Sequence, residues 1–133
     1  MATEDLHGVV TLSGDGSVDQ VLRRAVAEIE SLGLDVVAVI DHSGDAHEVG
    51  VAMPETKLVL FGSPEVTTRL VLAHPVMALH LPLKVLIRER TDGHVCVSYE
   101  APGHLARTHH LTNDEADGLQ VVETVARAVG STS

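Results

Sequence analysis

Two stretches, Leu58-Val59-Leu60-Phe61-Gly62-Ser63-Pro64-Glu65 and His80-Leu81-Pro82-Leu83-Lys84-Val85-Leu86-Ile87, decide how this chain folds. Each joins a strand-forming apolar run to a proline that fixes one end of the strand. In the first, Lys57 to Phe61 reads as a strand that is apolar on both faces. Ser63 then stands as an N-cap with Pro64 at the first helical position, where its missing N–H is not needed. The helix that follows, Pro64 to about Ala73, is short because Pro75 and then Pro82 prevent its continuation. In the second stretch Pro82 ends that region and a new strand, Leu83 to Arg90, begins.

Working outward, Asp92-Gly93 separates Leu83–Arg90 from His94–Tyr99, and an Asp-Gly step between alternating segments predicts a hairpin. Upstream, Leu34 to Ile40 is a further strand with apolar residues on both faces, a pattern expected of a strand covered on both sides. Asp41-His42-Ser43-Gly44-Asp45-Ala46-His47-Glu48 reads as a polar loop after it. Near the start, Val9 to Leu12 is a short strand followed by a turn at Ser13–Gly16. Ser17 and Gln20 have the spacing of a capping box. Val18, Val21, Leu22, Ala25, Ile29 and Leu32 then recur at helical spacing, and Gly33 follows where a left-handed cap belongs. At the other end Thr112 and Glu115 form a second capping box. Ala116, Leu119, Val122, Ala126 and Val129 line one face of a terminal helix that stops at Gly130.

These elements predict one α+β domain over residues 1–133, with its core between about 7 and 130. The architecture is two-layered, a mainly antiparallel sheet with two long helices on one face and a short extra helix after the third strand. The opposite face also carries apolar residues, and a second copy of the chain is the simplest cover. A homodimer is expected.

Composition limits function. Nine Lys and Arg against nineteen Asp and Glu give a formal charge of −10, which repels phosphate backbones. Phe61 and Tyr99 are the only aromatics besides histidine, so stacking platforms for bases are missing. A nucleic-acid partner is not expected. Cys96 is the single cysteine and fits a small residue in or near the core rather than a nucleophile. The acidic start, Met1-Ala2-Thr3-Glu4-Asp5, reads as no signal peptide, and no apolar run reaches the ~20 residues that span a bilayer. A cytoplasmic protein without a membrane partner is the expectation.

Nine histidines raise the question of a metal. His42/His47, His74/His80 and His104/His109 are five or six apart, so none is an i, i+2 strand pair or an i, i+4 helix pair. Gly14-Asp15-Gly16 lacks the third glycine of a dinucleotide fingerprint. The free N–H groups after Ser63, the hydroxyls of Thr67 and Thr68 and the charge of Lys84 suggest an anion site, although Glu65 opposes one.

Phe61-Gly62-Ser63-Pro64 with Thr68, Leu81-Pro82-Leu83-Lys84, and Tyr99 with Pro102 resemble the bacterial and archaeal "domain of unknown function 302" family. Asp41-His42 and His109 also stand where that family tends to place an aspartate-histidine pair and a histidine. The resemblance runs from about Val18 to Leu111. It implies a TBP-like β-α-β(4)-α fold, usually dimeric, and no established reaction. The family pattern has Asn at Ser63, Gly at Thr67 and Asp at His80, so a shared pocket here has exchanged a carboxylate for an imidazole.

Three functions follow as expectations. The first is a dimeric binding or sensing module for a small anion or a divalent metal, using His42, Ser63, Thr68, His80, Lys84, Tyr99 and His109, with His42, His80 and His109 as metal ligands. The second is a structural or accessory dimer without a ligand. The third is a hydrolase or transferase with a histidine base, for which no nucleophile–base–orienter set is found.

Overall fold

The structure, a computed structural model, describes residues 4–132. Six strands form one sheet in the order β2-β3-β4-β5-β1-β6. They are β1 (Val9–Gly14), β2 (Asp35–Asp41), β3 (Thr56–Gly62), β4 (Leu83–Glu89), β5 (Val95–Glu100) and β6 (Gly130–Ser131). Every pairing is antiparallel. The helices are α1 (Val18–Ser31), α2 (His42–Glu48), α3 (Pro64–Ala73), α4 (Pro102–His109), α5 (Asn113–Asp117) and α6 (Val121–Val129), with a 3-10 helix at Pro75–His80. The α+β architecture is as expected.

Both capping boxes form. Ser17 Oγ accepts from the Gln20 N–H while Gln20 Oε1 accepts from the Ser17 N–H, and Thr112 and Glu115 repeat the exchange. At the far end of α1 the N–H of Gly33 donates to the Glu30 carbonyl and that of Leu34 to the Ile29 carbonyl. This closure needs a positive φ at Gly33, which is +76°.

The core lies between the sheet and the pair α1/α6. Val18, Val21, Ala25 and Ile29 of α1 meet Val122, Val125, Ala126 and Val129 of α6 over Val59 and Phe61 (β3), Val85 and Ile87 (β4), Val97 and Tyr99 (β5) and Leu12 (β1). Alternation puts the intervening residues on the opposite face. One row there runs Ile40, Leu58, Leu86, Ser98, Thr11 across five strands, with Ala38 and Leu60 beside it.

Four expectations need correction. The segment after β2 is a helix, because the Asp41 carboxylate caps it by accepting from the Gly44 N–H. β2 is not covered on both sides: it is the sheet's edge, and Val37, Val39 and Ile40 are exposed. The terminal helix is divided, α5 and α6 being joined through Gly118–Gln120. Helix α4, with Pro102 at its first position, and the two-residue β6 beside Ser13 and Gly14 were not anticipated.

Candidate functional site

The N-terminus of α3 and the Leu81-Pro82 step face each other across a groove of about 470 Å³. Its walls are largely apolar, from Val37, Pro64, Val71, Ala78, Leu81 and Pro82. Ser63, Thr67 and Thr68 supply hydroxyls and Asp35 stands at the start of β2. The volume lies within the ~300–1,000 Å³ typical of small-molecule sites. Ser63 is placed by β3, which delivers Gly62 beside Asp35 of β2. Its side chain makes no capping bond, and its hydroxyl has no hydrogen-bond partner among the described residues, whereas Thr67 Oγ1 donates to the Ser63 carbonyl at 3.1 Å.

Behind the Leu81-Pro82 wall, which contains a cis peptide bond, lies a polar cluster. Lys84 Nζ donates to the carbonyls of His80 (2.9 Å) and Pro82 (3.1 Å). His80 Nδ1 is 3.1 Å from Glu100 Oε2, and Lys84 Nζ is 4.0 Å from Glu100 Oε1. His109, in the last turn of α4, sets its ring edge-to-face on His80, with centroids 4.9 Å apart. Its Nε2 is buried and has no hydrogen-bond partner among the described residues. Burial holds the His109 imidazole below the ordinary range, and His80 and His74 reinforce this.

The predicted site residues thus divide into groups. Ser63 and Thr68 line the groove, and His80, Lys84 and His109 form the cluster behind it. His42 lies apart, at the start of α2 beyond the Asp41–Lys57 pair, while Ser63 follows the Asp35–Gly62 pair. Those pairs are five residues apart along β3, at about 3.3 Å each. The structure therefore does not bring His42 together with His80 and His109: the length of a strand separates the first from the other two. No group of three or more His, Cys, Asp or Glu is placed to hold a metal among the described residues. Tyr99 lies apart from the groove and the cluster: its ring is packed in the core under α6, where burial and Glu123 push its hydroxyl up.

Sequence reasoning missed Glu100, although the hairpin register reveals it. Leu86 faces Ser98 and Ile87 faces Val97, so two residues further the count puts Lys84 opposite Glu100. Asp35, Val37, Val71 and Ala78 were missed as groove residues because only the tertiary fold brings them together. His74 was also missed: its Nε2 lies 3.0 Å from both carboxylate oxygens of Glu115, tying the end of α3 to the α5 cap.

An antiparallel sheet backed by two helices, with a groove at the short helix's start, defines a small two-layer α+β domain with a binding-site-sized cleft. The chain belongs to the family described as "Domain of unknown function DUF302", which it matches over residues 9–131. It is similar to the crystal structure of an uncharacterized conserved protein DUF302 from Bacillus stearothermophilus, with a TM-score of 0.80 at 13% identity, covering 92% of this chain and 98% of that one. That likeness concerns the fold. The chain is also 34% identical over 104 residues to "Fluoride-specific ion channel FluC 1" of Brucella suis biovar 1, covering 78% of this chain and 41% of that protein. "Fluoride-specific ion channel FluC 2" of Brucella melitensis biotype 1 matches at the same identity over 38% of its length. The chain spans about two-fifths of the length of these curated relatives.

Proposed function

We propose that the domain is a binding module that takes a small amphiphilic molecule in the groove and works as a homodimer. The observation that carries this reading is the groove itself, an apolar cleft with the Ser63 hydroxyl at one end. The ligand's head is neutral or cationic. No lysine or arginine lines the groove, and Asp35 is its one ionisable lining residue. Glu65 offsets the positive end of α3, and the Lys84 ammonium is committed to two carbonyls. These facts turn the expectation away from a small anion. With no three-ligand set converging among the described residues and an apolar lining to the groove, the ligand is read as organic rather than metallic.

The test is chemical-shift mapping with a matched series: octanol, octylammonium and octanoate. The first two are expected to shift the amides of Gly62, Thr67, Thr68, Val71 and Ala78 saturably, and octanoate far less. Equal response to all three, or shifts scattered over the surface, would contradict the reading. The dimer is supported by half-buried Leu58, Leu60 and Leu86 on the sheet face opposite α1 and α6. Light scattering after size exclusion checks it: a mass near twice 14.1 kDa is expected, and Leu60→Asp should halve it.

The Brucella relatives favour a second reading, in which the domain is an accessory to a fluoride channel. They match over 38–41% of proteins named as channels. Here no helix among the described residues is long and apolar enough to cross a membrane, which supports assigning the matched part to an appended module. Fluoride-detected NMR would show line broadening at millimolar fluoride if the domain itself senses the ion, and none if it serves otherwise.

A further inference from the structure

We infer that His80 and His109 form a proton-operated clasp on one wall of the groove, closed while the His109 imidazole is neutral and released when it is protonated. The effect on ligand binding rests on the groove reading above; the clasp itself does not.

The wall consists of Ala78, Leu81 and Pro82, and His80 is embedded in it. It is held at three points. Lys84 Nζ binds the carbonyls of His80 and Pro82, Glu100 binds the His80 ring, and the His109 ring packs against that ring in an edge-to-face contact. The last contact is sensitive to protons. A neutral imidazole tolerates a buried ring nitrogen with its lone pair unused, but an imidazolium there carries an N–H with no acceptor among the described residues. Charge works in the same direction. A protonated His109 ring adds a second cation beside Lys84 around one carboxylate, Glu100, which is already engaged by the His80 ring. The other groups nearby do not reverse the balance. His104 of α4 and His74 at the end of α3 both act on His109 as positive neighbours. The carboxylate of Glu115 is engaged by His74 and by the Thr112 N–H.

The sign follows from linkage. His109 titrates below the ordinary imidazole value of 6.5 in the fold. Its contribution is therefore complete above that value and is lost as pH falls through the lowered one. The structural cost of release is small, because His109 ends α4 and His110 beyond it already sits at φ 55° in the left-handed region. A helix end of this kind opens locally without global unfolding.

Hydrogen exchange at pH 7.5 and 5.5, corrected for intrinsic rates, tests the clasp in the full chain, with residues 18–31 as internal reference. Residues 75–84 and 102–111 are expected to lose several-fold protection at pH 5.5 while the reference holds. His109→Phe keeps a ring and removes the proton, and should show equal protection at both values. Unchanged protection in the wild type, or the same loss in His109→Phe, would overturn the inference. If that variant does not fold, titration of the wild-type His109 ring by NMR decides, and a midpoint at or above 6.5 overturns it. Octylammonium titrated at both pH values adds a separate arm. Several-fold weaker binding at pH 5.5 in the wild type alone is expected. Absence of binding at both values ends the groove reading and leaves the exchange result to judge the clasp.

Discussion

Lys84 and His80 are joined side chain to main chain: the Lys84 ammonium donates to the His80 carbonyl at 2.9 Å, and to that of Pro82 at 3.1 Å. A residue whose charge suggests an anion site in the sequence is thus a brace for the corner between the 3-10 helix and β4. Lys84→Met keeps the stem and leaves two carbonyls without their charged donor. Bonds of this kind contribute about 1.5–3 kcal/mol, and partial exposure of Lys84 places the expected loss near the lower figure. Urea unfolding with an unchanged slope and a lowered midpoint would record it. A loss under ~0.5 kcal/mol would show that water replaces the brace.

The three sequence-predicted N-caps differ in the structure and should differ on mutation. Ser17 and Thr112 each complete a capping box, but Ser63 makes no capping bond. Ser17→Ala is expected to cost about 1 kcal/mol. Ser63→Ala should change stability by less than ~0.5 kcal/mol, while weakening whatever the groove binds. Equal costs at the two serines, from denaturant melts, would contradict the assignment.

Met77 and Leu79 stand two residues apart in the 3-10 helix and have opposite surroundings. Met77 is fully buried, and Leu79 is 80% exposed. Met77→Ala is expected to cost about 2–5 kcal/mol through the cavity it leaves. Leu79→Ser should stay within ~0.5 kcal/mol. A comparable loss in both would mean that a second chain covers Leu79 in solution.

Below the histidine range, Glu115 sets a second acid-sensitive step. The Thr112 N–H, first, and the His74 ring hold its carboxyl under the usual carboxylate value. A lowered folded value means stability that is present above the ordinary value of 4.5 and lost as pH falls through the lowered one. Stability measured from pH 6 to 3 should therefore show a decline that Glu115→Gln reduces. A variant that declines as steeply as the wild type would remove Glu115 from this role.

How much was legible follows from how local each signal is. The capping boxes, the Gly33 closure, the Ser63-Pro64 start and the Asp92-Gly93 hairpin depend on residues a few positions apart, and all are seen. Strand order is not local. The continuous apolar run Val36–Ile40 reads the same for a central strand and for an edge, and only the assembled sheet leaves β2 with one neighbour. Helix α2 was hidden by its composition, since His42-Ser43-Gly44-Asp45 has little helical propensity and relies on the Asp41 cap. Helix α4 was hidden by Ala101-Pro102-Gly103, which reads as a turn. In the site, Ser63 and Thr68 were found through the motif around Pro64. That His42 and His109 lie at opposite ends of a strand was not legible, because the motif positions that suggested them carry no strand register.

The central claim is that the cleft between α3 and Leu81-Pro82 is a binding site, and filling it tests this most directly. Ala78 is exposed on the groove wall, so Ala78→Trp occupies the cleft without disturbing the core. Titration of octylammonium against both proteins, followed by amide shifts, should give saturable binding to the wild type and at least tenfold weaker binding to Ala78→Trp. Equal affinity for the two would contradict the account.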